Sequence, residues 1–151
     1  MLNTILHCLF LFPDRVSSRF FFKRYDASSD MWSLGCMAFE LLTGHYLFDP
    51  QDGDEDERDE DHLDMCQRLL GAIPADVIAR GVWPKKYFED QDDFPDTPNS
   101  ELSLLFSQKF GFTGKEADEA SAFILPMLDF NTQSRVTALD CLANAWLNDI
   151  E

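Results

Sequence analysis

From residue 25 onward the apolar positions recur at helical spacing. In "YDASSDMWSLGCMAFELLTG" (25–44), Met31, Trp32, Leu34, Cys36, Met37, Ala38, Phe39, Leu41 and Leu42 leave almost no polar face. A helix that is apolar all round is buried on every side, so this one is expected to be the central beam of the fold. Ser28, Ser29 and Asp30 suit its N-cap, and Gly44 suits the position just past its end. "DEDHLDMCQRLLG" (59–71) sets Leu63, Cys66, Leu69 and Leu70 at helical spacing and stops at Gly71. "PADVIARG" follows as a short helix with Pro74 in its first turn. "SELSLLFSQKFG" forms a capped helix from Ser100, and "KEADEASAFILPMLDF" another in which Pro126 bends or interrupts the later part. "TALDCLANAWL" closes the fold behind Thr137 as N-cap. Residues 81–100, with three prolines and the acidic patch "EDQDDFPD", read as an irregular insert. No strand period survives after residue 25 and no internal repeat occurs, so the pattern predicts an all-α domain.

Length and composition fit one such domain: 151 residues, 45% hydrophobic, with fourteen Phe for a core. The net charge of -16 changes the picture of partners. It excludes nucleic acid and anionic membrane surfaces and favours basic peptides. No apolar run reaches the roughly 18 residues of a membrane span, and "MLNTILHCLFLFP" lacks the basic start of a signal peptide. Cys8, Cys36, Cys66 and Cys141 are scattered without metal-ligand spacing, as reduced thiols of a cytoplasmic or nuclear protein would be. Core packing is the expected role of Cys36 and Cys141.

The charge is uneven along the chain. Residues 1–24 carry Arg15, Arg19, Lys23 and Arg24 against Asp14, a balance of +3, which leaves -19 on residues 25–151. "DGDEDERDED" (52–61) alone holds eight carboxylates in ten positions. Such a run is either a solvated loop or a surface for a basic partner.

Several stretches carry a family resemblance. "SDMWSLGCMAFELLTG" resembles the large central helix of the protein-kinase C-terminal lobe, marked by Asp-x-Trp-Ser-x-Gly, and Asp30, Trp32, Ser33 and Gly35 match it. "RVTALDCLANAWL" resembles that lobe's last conserved helix, with Asn144 and Ala145 in place of His-Pro before Trp146. "YLFDP" (46–50), "RDEDH" (58–62) and "FILPML" (123–128) are similar to kinases that phosphorylate Arg/Ser-rich splicing factors. The resemblance runs over residues 25–151 and implies a C-lobe fragment of a serine/threonine kinase. It implies that Asp30 accepts hydrogen bonds from catalytic-loop backbone, a plain N-cap carboxylate being the alternative. It also implies that Arg135 pairs with a buried Glu, yet no Glu precedes residue 40.

Phosphoryl transfer needs a glycine-rich loop, a phosphate-binding Lys, His-Arg-Asp and Asp-Phe-Gly. None is present; "HLD" (62–64) and "DDFP" (92–95) imitate two of them on the wrong side of the central helix. A whole kinase domain would need on the order of 100 more residues. The family implies ATP and magnesium for a full-length member and neither for this chain. "VSSRFFFKRYD" lacks the activation-segment pattern, and its Phe-rich stretch matches the pyrimidine-rich end of an intron. Residues 1–24 are therefore expected to be translated intron or a wrongly joined exon, with a divergent true N-terminus as the alternative.

The resemblance also implies a groove that docks Arg-rich substrate segments. Asp61 and Lys109 keep its pattern, while His45 and Arg68 stand where acids are expected. Asp54, Glu55, Asp56, Glu57 and Asp59 would then compensate by long-range attraction. The implied roles are an enzyme fragment acting on Arg/Ser-rich proteins or a non-catalytic module that docks Arg-rich peptides.

Overall fold

The computed structural model describes residues 27–50, 55–80 and 98–148. Segment 1–24, residues 81–97 of the expected insert, and Asp54 lie outside the described residues. In chain order the helices are α1 (Ala27–Thr43), α2 (Glu55–Leu70), α3 (Ala75–Arg80), α4 (Pro98–Phe110) and α5 (Gly114–Ile124). A 3-10 helix (Leu125–Leu128), α6 (Ala138–Leu142) and α7 (Ala145–Asn148) complete the order, and the described residues hold no strand.

α1 packs on the 3-10 helix and α5, α4 packs on α5 and α2, and α7 closes on α5. The face of α1 that makes these contacts is Met31, Trp32, Gly35 and Phe39. This stripe corrects the expectation of burial on every side, because Leu41 is 71% exposed and Leu34, Cys36, Met37 and Leu42 are only half-buried. The apolar excess on α1 outruns what the described elements cover. Phe39, 1% exposed, lies 5.3 Å from Phe106 and 5.6 Å from Phe110 between ring centroids. Full burial of such a ring is worth about 1.5–3 kcal/mol.

Gly35 has a steric reason. A Cβ built there would stand 2.9 Å from Leu128 Cδ2 and 3.1 Å from Met127 Cβ, so only glycine lets the 3-10 helix approach α1 this closely. The 3-10 turn itself follows from Pro126, which has no N–H for the ladder and crowds the preceding turn.

The helix starts differ from expectation in instructive ways. α1 begins at Ala27, so Ser28, Ser29 and Asp30 occupy its first turn and do not cap it. α2 begins at Glu55, inside the acidic run. Acids at a helix N-terminus face the positive end of the macrodipole and are favoured there, which turns most of the supposed loop into helix. α4 starts at Pro98, two residues before Ser100. α5 starts at Gly114 behind Thr113, whose hydroxyl accepts from Glu116 N–H while Glu116 accepts from Thr113 N–H. Thr113-x-x-Glu116 is a legible capping box that the helical pattern alone did not flag.

Thr137 caps α6 as expected, with Asp140 completing a second capping box. The expected single closing helix breaks at Asn144, whose side-chain oxygen accepts from Trp146 N–H at 3.0 Å and starts α7 afresh. Gly44, Gly71 and Gly111 end α1, α2 and α4 with φ of 75°, 86° and 74°. Gly44 and Gly71 N–H donate back to Glu40 and Gln67 carbonyls at 2.8 Å each.

Candidate functional site

Two constellations are built on this frame, one internal and one on the surface of α2 and α4. The internal one centres on Trp32, 3% exposed. Its ring lies 6.1 Å from Phe48 and 5.9 Å from Phe130, and the Arg135 guanidinium sits 5.2 Å over it. Arg135 is buried at 5% exposure. Its Nε and Nη2 donate to Asp129 O at 2.9 and 2.7 Å, and Nη1 donates to Ser28 O at 2.7 Å. Charge-assisted bonds to carbonyls thus occupy the guanidinium and tie α6's approach to the first turn of α1. Asp129 itself accepts from Asn131 N–H and from Ser134 Oγ, which shapes the turn that delivers Arg135. Asp30 is exposed on α1's first turn. Trp146 is half-buried, 4.7 Å from Phe123, and so anchors α7 to α5.

The surface constellation begins on α2. Asp61, Asp64 and Arg68 fall at i, i+3 and i+7, one stripe about 10 Å long. Arg68 Nε donates to Asp64, and that bond and charge raise the Arg68 pKa above its ordinary value. The cation standing in place of an expected acid is therefore tied to a neighbouring carboxylate. Arg58 and Glu60 are exposed, and Asp59 and Asp61 are half-buried. Glu55, Asp56 and Glu57 are placed along the helix backbone of α2.

Beneath Asp61 lies His62, 2% exposed. Its ring meets Phe48 edge-on at 5.5 Å, and Nε2 is 3.8 Å from Cys66 Sγ. Burial lowers the His62 pKa to about 4, against an opposing pull from the Asp61 carboxylate, so the ring is neutral at pH 7. Burial, with Cys36 nearby, pushes the Cys66 thiol well up, which leaves it unreactive. In the sequence His62 stood only within "RDEDH" and the false motif "HLD", with no sign of burial; its partner Phe48 lies on a separate segment.

Across the surface, α4 ends in Lys109 and Phe110. The Lys109 ammonium is 5.5 Å from the Phe110 centroid, and the His45 ring is 5.2 Å from the same centroid. Of the anticipated docking residues, the fold thus brings His45 and Lys109 onto one aromatic ring and sets Asp61 and Arg68 on the adjoining helix. No group of three His, Cys, Asp or Glu among the described residues is placed to hold a metal. The sequence holds no Asp-Phe-Gly or His-Arg-Asp, and no phosphoryl step is assigned to the described residues. No described helix is long and apolar enough to cross a membrane.

Comparison with known proteins agrees with this frame. The protein kinase domain family matches residues 9–147, so the chain belongs to that family. Within it, the chain resembles the SR-protein kinases. It is 38% identical over 132 residues to the serine/threonine-protein kinase SRPK of Physarum polycephalum, covering 85% of this chain and 31% of that protein. It is 38% identical over 127 residues to SRSF protein kinase 3 of Mus musculus, covering 82% and 22%. A probable serine/threonine-protein kinase, sky1 of Dictyostelium discoideum, is 42% identical over 125 residues, covering 80% and 19%. The chain therefore spans less than a third of these relatives' length.

Proposed function

We propose that this chain is the substrate-docking part of a serine/threonine kinase acting on Arg/Ser-rich splicing proteins. In the whole enzyme the γ-phosphate of ATP would pass to serines of Arg/Ser repeats; this chain alone holds basic segments and transfers no phosphate. The observation that supports the reading best is α2, whose first two turns lie within the run of carboxylates and end in the half-buried Asp61. A helical array fixes the spacing of its acids, and guanidinium groups gain charge-assisted hydrogen bonds from carboxylates held in place. Free docking activity without the rest of the enzyme is the second role, favoured because α2 and α4 pack on each other within this chain.

Titration of a labelled Arg/Ser peptide into the purified chain tests docking. Exposed pairs contribute about 0–1 kcal/mol each, so the dissociation constant is expected in the micromolar range or weaker. Binding should fade as the Debye length shrinks from about 10 Å at 0.1 M salt to about 3 Å at 1 M. Arg68→Glu should tighten it and Asp61→Asn loosen it. Affinity indifferent to salt and to both substitutions would reduce the acidic run to a solvated helix. With labelled ATP present, stoichiometric incorporation that survives repurification would overturn the non-catalytic role.

A further inference from the structure

His45 and Lys109 come from distant parts of the chain, and both are exposed beside the half-buried Phe110. The His45 ring is held by its surroundings: Nδ1 lies 2.9 Å from Thr43 O, which accepts its proton. Thr43 Oγ1 in turn donates to Phe39 O at 2.9 Å and accepts from His45 N–H at 3.2 Å. Nε2 is therefore the ring nitrogen left for a ligand. Lys109 makes no ion pair among the described residues. In a chain of net charge -16, an ammonium and an imidazole around one aromatic ring stand out from the surrounding carboxylates.

The same connecting segment joins this spot to the acids. His45 is at Phe110, and three residues later Phe48 packs on His62 of α2, next to Asp59, Glu60 and Asp61. Three residues of extended chain span at most about 10 Å. A short extended peptide can therefore touch the cationic spot and the acidic turn at once. A purely basic peptide satisfies only the acidic end and meets repulsion at the other. An arginine with a phosphorylated serine two or three residues away satisfies both, since the phosphate brings nearly two negative charges and three acceptor oxygens.

We propose that this surface takes a phosphorylated Arg/Ser segment in preference to the unphosphorylated one. His45 and Lys109 receive the phosphate, and the α2 acids receive the arginine. The inference rests on the docking role proposed above and adds the phosphorylation state of the ligand to it. At 0.15 M salt the Debye length is about 8 Å, so these local pairs, and not the overall negative charge, decide which peptide wins.

The test is fluorescence anisotropy of the intact 151-residue chain with dye-labelled Arg/Ser octapeptides, one unphosphorylated and one phosphorylated on a central serine. Two exposed pairs predict about three- to tenfold tighter binding of the phosphopeptide. Lys109→Gln and His45→Asp should each erode that gain, with unchanged far-UV circular dichroism, while Lys109→Arg should retain it. His45→Asp should also tighten the unphosphorylated peptide. A phosphopeptide with its arginines replaced by alanine should bind at background level; tight binding would show that the acids play no part and would overturn the two-ended site. Equal or weaker binding of the Arg/Ser phosphopeptide, with the unphosphorylated one still bound, overturns this inference and leaves the docking role standing. A phosphate gain that survives Lys109→Gln and His45→Asp also overturns it. Failure of both Arg/Ser peptides to bind removes the docking role and this inference together.

Discussion

His62 shows what burial of one side chain does to the pH response. In the unfolded chain an imidazole takes its proton near pH 6.5; in the fold His62 takes it only at about 4, because burial disfavours the cation. Between those values the unfolded state binds more protons, so stability falls as pH falls through that window. Each unit of the difference is worth 1.36 kcal/mol, so from pH 7 to pH 5 the loss is about 2 kcal/mol. Urea unfolding at the two pH values, compared with His62→Gln, measures it. The variant should lose that share of the pH dependence, and an identical pH response in both proteins would show that His62 does not gate stability. At this scale three residues that the resemblance marked, Trp32, Gly35 and Arg135, are buried in the fold. The contact partners of Arg135 were not readable, because backbone carbonyls of Ser28 and Asp129 carry no side-chain signature. Likewise, the proximity of His45 to Lys109 depends on a ring, Phe110, that links segments far apart in sequence.

At the scale of elements, capping decides where helices begin more than apolar periodicity does. Thr113 and Glu116 satisfy two orphan donors at the start of α5, and the backbone and side-chain bonds from Thr113 hold the Glu116 carboxyl below its ordinary pKa. α5 packs on α1, α4, the 3-10 helix and α7, so its loosening reaches the whole core. Thr113→Ala should destabilise the fold by about 1 kcal/mol, read as a lower urea midpoint at unchanged slope. Thr113→Ser should restore most of it, and no loss with alanine would mean the α5 start is held by packing alone. The same logic explains which elements were legible. Gly44 and Gly71 marked two helix ends correctly because a left-handed residue is a local requirement, one that Gly111 also meets at the end of α4. The start of α2 was missed because a run of acids looks like a loop by composition, whereas its position at a helix N-terminus makes it favourable. The break at Asn144 was missed because "LANAWL" keeps a helical apolar pattern across it while the Asn side chain restarts the hydrogen bonding.

For the whole molecule, charge and apolar exposure pull in opposite directions. Leu41, Leu139 and Leu142 are 71%, 76% and 69% exposed, while a net charge of -16 opposes self-association. The break from +3 to -19 at residue 24 and the family match that begins at residue 9 place the domain's edge differently. We hold to the charge break and expect residues 1–24 to be dispensable for the fold of the rest. Their net charge is opposite in sign to that of residues 25–151, and the Asp-x-Trp-Ser-x-Gly frame is complete from Asp30 on. Two deletions separate the alternatives, one removing residues 1–8 and one removing residues 1–24. Both should leave the helical signal per remaining residue and the urea midpoint unchanged, and the longer deletion should also leave Arg/Ser-peptide binding intact, since none of His45, Asp61 or Lys109 lies in the removed part. If the shorter deletion is silent and the longer one unfolds the chain, residues 9–24 belong to the core and the domain edge moves to residue 9.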